Sequence, residues 1–350
     1  MNALPIPQFR VFTGEQVAAA VRGGQRAILD TVEAAYRAHH AGRTVNPESQ
    51  FLRFPDAQRN RIIALPAHIQ GDEGEGITGI KWISSFPENI ERGVPRASAV
   101  LILNDAATGY PMACMEASII SAARTAASAV SALRRLTCGD RRGDRRDDRR
   151  RHRRVAFVGA GVIARHVAEC LPLAALPVEE VVVHDLNPGY ADSLANRIAA
   201  HTGIDARTDI SLESVVRRSD VIVFATTASS PYLDNPDWFS HCPVVLHLSL
   251  RDLAPSIVLE AYNVVDDIEH CLRAKTSLHL TEVETGHRRF VTTSLPHLLC
   301  GGELPARDRP LVFSPFGLGI LDIAVGRWVY ERLADRQAPV PRFFFDLQRA

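Results

Sequence analysis

The sequence predicts an α/β chain: a doubly wound parallel sheet, plus an α+β unit built from the leading segment and the final helix. Three observations predict it. From residue 155 onward, short fully apolar runs alternate with helical stretches, the order of a parallel sheet with crossover helices. The first of those runs enters a glycine turn, Gly159-Ala160-Gly161. Between about 50 and 105, by contrast, short β-type runs are separated by turn signals, as in an antiparallel sheet.

A length of 350 residues fits about two domains. Hydrophobic residues at 46% and charged residues at 23% describe a globular chain with apolar surface enough for a core. The formal net charge of zero gives no whole-chain reason to expect nucleic acid or an anionic membrane as partner. No apolar run reaches the ~20 residues that span a bilayer, and the start, MNALPIPQFRVFTGEQ, lacks the basic head and apolar stretch of a signal peptide. Six scattered cysteines without a CxxC pair read as reduced thiols of a cytoplasmic protein, and the histidines show no metal-ligand spacing, so no metal is expected. Nearly every basic residue is arginine; only Lys81 and Lys275 are lysine. That singles them out, because lysine can release a proton near neutral pH and arginine cannot.

In chain order, residues 15–40 read as one helix, with Val17, Val21, Ile28, Val32 and Ala35 near a 3.6-residue spacing and Thr13 as its cap. RIIALPAHI, GITGIKWISSF and ASAVLILND read as strands, separated by GDEGEG, FPEN and ATGYP. Residues 112–136 are alanine-rich and read as a helix. The run 138–154, with nine arginines and four aspartates, reads as a solvated connection; it lacks the aromatics that stack on bases. VAFVGAG, EEVVVHD, SDVIVFATT, CPVVLHLSL and NVVDD then read as buried strands, with a helix after the glycine turn and another near 188–201. FGLGILDIAVGRWVYERLA reads as an amphipathic helix from about 317 that returns to the first unit. The expected division is therefore 1–137 with 311–350 as a substrate and dimerisation unit, 138–154 as the connection, and 155–310 as the nucleotide unit.

The nucleotide motif is Gly159-Ala160-Gly161-Val162-Ile163-Ala164, placed between a strand and a helix. Gly159 permits the tight turn, Gly161 lets a pyrophosphate approach the backbone, and Ala164 lets helix and strand pack closely. The amides of Val162 and Ile163 open the helix toward the anion. Asp185, 24 residues beyond Gly161 at the end of the second strand, suits the ribose hydroxyls and would repel a 2′-phosphate, which favours NAD over NADP. Thr226 and Thr227 follow the strand VIVFA, where side chains meet the ligand crevice; helix capping is their alternative reading.

Lys81 lies in GIKWISSFPEN and Arg124 in NDAATGYPMACMEASIISAARTAASA. With the glycine turn and the closing helix, these segments resemble the ornithine cyclodeaminase/mu-crystallin family over nearly the whole chain. The resemblance implies that Lys81 touches the reacting end of the substrate and that Arg124 clamps its α-carboxylate. The chemistry agrees, because guanidinium binds carboxylate through two parallel hydrogen bonds. A lysine among positive neighbours can have a lowered pKa fit for proton transfer. The resemblance also implies a homodimer.

Departures from the cyclodeaminase pattern narrow the expectation. An acid that meets the substrate amine is replaced by Ile63, and a carboxylate-binding threonine by Arg96. The upstream arginine falls in the region of Ser49 or Arg53, and HLSLRDLAP replaces the loop that carries a catalytic aspartate, leaving Asp252 as the nearest acid. GIKWISSFPENIERGVPRASAVLILND, HLSLRD and SPFGLGILDIAVG resemble one branch, the N-(2-amino-2-carboxyethyl)-L-glutamate dehydrogenases, which serve siderophore and peptide-antibiotic biosynthesis. That branch implies a substrate with three carboxylates, matched by Arg53, Lys81, Arg96 and Arg124, and a proton acceptor in Lys81 or Asp252. Ornithine cyclodeaminase, another amino- or imino-acid dehydrogenase, and a non-catalytic ligand-binding protein like mu-crystallin are the competing expectations.

Overall fold

The computed structural model describes residues 8–71, 76–137, 153–341 and 343–344. Most of the charged run from 138 lies outside them. The chain forms two compact units, Met1–Arg124 with Leu318–Ala350, and Thr125–Gly317.

The first unit opens with strand β1 (Arg10–Phe12), helices α1 (Gly14–Val21) and α2 (Gln25–His40), and strand β2 (Thr44–Val45). Strands β3 (Gln50–Phe54), β4 (Ala57–Ile69), β5 (Ile77–Ser85), β6 (Ala97–Asn104) and β7 (Pro111–Glu116) follow, then helix α3, which starts at Ser118. The sheet order is β1-β7-β6-β5-β4-β2, with β3 also on β4. Apart from β1, which runs parallel to β7, the ladder is antiparallel.

Thr13 caps α1 as expected: its hydroxyl accepts from the Gln16 amide, and the Gln16 side chain accepts from the Thr13 amide at 2.9 Å. The single helix expected over 15–40 is two, because Gly23 turns the chain through φ +74°. The alanine-rich helix starts later than expected. Ala113 and Met115 are buried while Met112, Cys114 and Glu116 are not, so period two governs up to residue 116. The Glu116 carboxylate then accepts the Ser118 amide at 2.7 Å and starts α3.

The inner face of this sheet carries Leu65, Ala67, Leu101, Leu103, Ala113 and Met115, all buried. The closing helix, Gly319–Leu333, packs on it, and every residue from Gly319 to Gly326 is buried. The amphipathic helix expected here is thus buried all round in its first two turns. A Cβ on Gly326 would meet Leu101 Cδ2 at 2.0 Å, so any side chain there would have to displace Leu101.

The second unit is built on an all-parallel sheet in the order β10-β9-β8-β11-β12-β15-β13-β14. Its strands are β8 (Arg154–Val158), β9 (Glu180–His184), β10 (Asp205–Thr208), β11 (Val221–Phe224), β12 (Val244–His247), β13 (Tyr262–Val265), β14 (Val291–Ser294) and β15 (Leu311–Ser314). β11, β12 and β15 are buried at every position, as expected of strands covered on both faces. β10, β14 and β15 were not anticipated. Because β15 pairs with both β12 and β13, the boundary expected at 311 moves to 318, and the one expected at 137 falls at Arg124, inside α3. Strand order reverses between β8 and β11, which puts a topological switch point at their carboxyl ends. Among the described residues no helix is long and apolar enough to cross a membrane, and no group of residues could hold a metal ion.

Candidate active site

In the second unit, β8 delivers the chain to Gly159, whose φ is +93° and whose missing Cβ would sit 2.6 Å from the Ala225 carbonyl oxygen. A side chain is therefore excluded twice, by backbone conformation and by the neighbouring strand. Gly161 is the N-cap of α4 (Val162–Cys170), and no side chain caps that helix. A Cβ on Gly161 would meet nothing within 4 Å, and Val162 is exposed. The first amides of α4 thus face open space, which suits an anion. Ala164 is fully buried, consistent with close helix–strand packing.

Asp185 follows β9 and turns toward the same glycine turn. One carboxylate oxygen accepts the Ala160 amide at 2.8 Å and the other accepts the Asn187 amide at 2.8 Å. An acid fixed beside the turn at the end of the second strand fits a ribose diol. The cradle of glycines, the open helix terminus and this carboxylate fit NAD.

Thr226 leaves β11 and caps no helix. Its hydroxyl donates to Asp252 at 2.5 Å and accepts the Ala228 amide at 3.1 Å, while Thr227 beside it is exposed. Asp252 is fully buried and saturated. Besides Thr226 it accepts from Tyr232 Oη at 2.9 Å and from Ser249 Oγ, and His247 Nε2 lies 3.1 Å away. Burial pushes the Asp252 carboxyl up, but hydrogen bonds from His247, Ser249 and Thr226 outweigh it and hold the group at about 2. Such a carboxylate has no accessible oxygen and little basicity. The expectation of Asp252 as a proton acceptor does not fit this geometry; the residue ties together the loops that leave β11 and β12. Burial and the nearby Asp252 charge push the Tyr232 hydroxyl up, so it stays a donor.

In the first unit, register decides which side chains share a face. Lys81 on β5 pairs with Leu65 and Leu101, both on the buried inner face, and is itself 1% exposed. Its Nζ donates to Asp322 Oδ2 at 2.6 Å and to Ser121 Oγ at 3.3 Å. Arg124, three residues after Ser121 on α3, donates from Nε to Asp322 Oδ1 at 3.0 Å. Asp322, in the first turn of the closing helix, is 0% exposed. Two cations and one anion leave this buried cluster with one net positive charge while Lys81 is protonated. Burial pushes the Lys81 ammonium down, Asp322 raises it and Arg124 lowers it, for a net value of about 8. Lys81 therefore exchanges a proton within the working range of an enzyme.

Two steps along β5, Ser85 accepts Arg96 Nη1 at 2.7 Å, and burial lowers the Arg96 pKa. Ser85 pairs across the sheet with Arg61, and Arg61 with Arg53. Directly paired residues share a face, so these arginines lie at one end of the face that holds Lys81. Lys81 and Ser85 stand four residues apart on one strand, roughly 13 Å. Arg53 is exposed, its guanidinium 5.0 Å from the Phe51 ring centroid. Ile63 pairs with Phe51 and Ile83 on the same face, so an apolar patch stands where an amine-binding acid was looked for.

Sequence reasoning missed Asp322 and Arg61. The signal for Asp322 was present: an aspartate inside ILDIAV, apolar on both sides in a helix, must be buried, and a buried charge requires partners. The signal for Arg61 was its spacing from Arg53, which needs the turn at residues 55–56 to be recognised.

The profile of the ornithine cyclodeaminase/mu-crystallin family matches residues 15–337. The N-((2S)-2-amino-2-carboxyethyl)-L-glutamate dehydrogenase of Staphylococcus aureus (strain NCTC 8325 / PS 47) is 28% identical over 316 residues, covering 87% of this chain and 89% of the relative. The crystal structure of CmnK superposes with a TM-score of 0.82 at 29% identity, covering 97% of this chain and 100% of that one. The Thermococcus litoralis Delta(1)-pyrroline-2-carboxylate reductase, solved with NADH and L-proline, shares the fold with a TM-score of 0.84 at 22% identity, covering 95% and 100%.

Proposed function

From the premise that this chain belongs to the ornithine cyclodeaminase/mu-crystallin family and is an NAD-dependent oxidoreductase, we propose that it oxidises the secondary amine of N-(2-amino-2-carboxyethyl)-L-glutamate. The products are L-2,3-diaminopropionate, 2-oxoglutarate and NADH, with one water consumed and one proton released. The observation that carries this reading is the set of guanidinium groups on one sheet face: Arg53, Arg61 and Arg96 at one end, Arg124 beside Lys81 further along. A face that gathers several guanidinium groups favours anions in its ligand. Three carboxylates on one small molecule would supply such anions, whereas the single carboxylate of alanine or ornithine would not. Ile63, between Phe51 and Ile83, also removes the acid that a terminal amine would need. The similarity to the Staphylococcus aureus dehydrogenase supports the same substrate.

Bound NAD supplies the hydride acceptor for the glutamate Cα of the substrate. Gly159 and Gly161 make room for the pyrophosphate, the amides of Val162 and Ile163 face it, and Asp185 takes the ribose hydroxyls. Thr226 and Thr227 follow the neighbouring strand, β11. On the substrate side, Arg124 holds the α-carboxylate next to the reacting carbon. Lys81, poised near 8, takes a proton at Nζ from the water that adds to the substrate imine, and returns it as the carbon–nitrogen bond breaks. Arg96, Arg61 and Arg53 hold the remote carboxylates.

The outer face of the same sheet suggests the assembly. Trp82 and Val100 pair across β5 and β6 and are 43% and 40% exposed, with half-buried Ile80, Ile102 and Met112 around them. A second copy of this chain, presenting the same apolar face, gives a symmetric homodimer.

The test is direct. Purified protein, NAD+ and N-(2-amino-2-carboxyethyl)-L-glutamate should give NADH absorbance and 2-oxoglutarate in equal amounts. Ornithine and alanine should give neither at a comparable rate. No NADH from the tricarboxylate between pH 7 and pH 10 refutes the reading.

A further inference from the structure

Asp322 lies in the segment SPFGLGILDIAVG, where no role was expected of it, yet it touches both of the residues expected to meet the reacting end. We propose that Asp322 is the positioning residue of this centre: its two oxygens hold Lys81 Nζ and Arg124 Nε at once, so that both cations are offered to one substrate in fixed register. This deepens the functional reading above and rests on it.

Geometry carries the proposal. The two contacts use different oxygens, 2.6 Å to Lys81 and 3.0 Å to Arg124, so neither cation displaces the other. Because Nε of Arg124 is spent on Asp322, the edge left for a substrate carboxylate is the Nη1/Nη2 pair, which can grip it through two parallel bonds. The three residues come from three elements, β5, α3 and the closing helix, so the carboxylate locks elements far apart in sequence. The helix carrying Asp322 is buried on every side around it and is pinned to the sheet where Gly326 meets Leu101, which leaves the carboxylate little freedom to drift. Ser121 completes the environment of Lys81, and Arg124 is the other charge that faces it.

The charge of Asp322 also raises the Lys81 proton affinity against burial and against Arg124. Removing that charge therefore moves the Lys81 titration to lower pH. The direction holds whether turnover needs the amine or the ammonium form, because the same group governs either limb of the pH profile.

The experiment measures kcat and KM between pH 6 and pH 10 for the full chain and for Asp322→Asn and Asp322→Glu, with NAD titrations and melting curves alongside. Wild-type NADH production tests the functional reading by itself; if wild type turns over, the variants test Asp322. Asp322→Asn should lower kcat/KM by about a hundredfold or more, shift the pH limb assigned to Lys81 downward, and leave the NAD affinity unchanged. Asp322→Glu keeps the charge but displaces it, and should keep the pH limb while losing kcat by about tenfold or more. If the carboxylate is purely structural, Asp322→Asn lowers the melting temperature and leaves the limb in place, and that result in the Asn variant overturns the proposal. If Asp322→Asn does not fold, Asp322→Glu decides: wild-type kcat and KM in that variant overturn the proposal, and lost kcat with an unmoved limb supports it.

Discussion

Replacing Arg96 by alanine should separate substrate binding from nucleotide binding. Arg96 is anchored by Ser85 through Nη1 at 2.7 Å, and its other N–H groups are available to a carboxylate. A charge-assisted hydrogen bond contributes about 1.5–3 kcal/mol, and each 1.4 kcal/mol is about tenfold. One lost guanidinium thus corresponds to roughly ten- to a hundredfold. Arg61 and exposed Arg53 lie in the same cross-strand row and offset part of the loss, so the lower half of that range is expected. The guanidinium anchored at Ser85 lies along the strand from Lys81, so the loss should fall mainly on KM, with kcat changed by less than about threefold. The assay is initial-rate NADH formation at saturating NAD+, with the NAD dissociation constant read separately from fluorescence. Unchanged KM would remove Arg96 from the site. Equal weakening of substrate and NAD would point to a folding defect and also refute the reasoning.

Asp185→Ala should raise the NADP/NAD ratio of kcat/KM by about tenfold or more, since the carboxylate beside Ala160 would otherwise meet a 2′-phosphate; an unchanged ratio means the ribose is read by other groups. Asp252→Asn should cost melting temperature, because Thr226, Tyr232 and Ser249 all donate to that carboxylate, while kcat falls by less than about a hundredfold. A fall beyond a thousandfold with native stability would restore Asp252 as a proton acceptor. Trp82→Glu should convert the proposed dimer to monomer in light scattering at micromolar concentration, because it places a charge on the apolar outer face; a wild-type monomer, or an intact variant dimer, would locate the contact elsewhere.

What the sequence disclosed about this site follows from how local each feature is. The nucleotide cradle was legible because strand, glycine turn and helix are contiguous, and Gly159 and Gly161 answer to steric needs set within a few residues of themselves. The three central runs of the first sheet were legible for the same reason, since alternation and turns are local. β10 and β14 escaped because DART and VTTS are short and polar at the sheet edge, and β15 because its place between β12 and β13 comes from partners some fifty residues and more away. Helix starts were misjudged where a single residue overrides the average: Gly23 breaks a continuous apolar stripe, and Glu116 ends a strand whose composition looks helical. The substrate cluster is the extreme case. Lys81 and Asp322 are separated by 241 residues and Arg124 and Asp322 by 198, so no window along the chain contains their pairing. Only the chemical oddity of an aspartate among isoleucine, leucine, alanine and valine was visible beforehand. Burial makes that oddity informative: a carboxylate there must be met by cations, and the two residues that meet it are the lysine and arginine to which the resemblance had already assigned the reacting end.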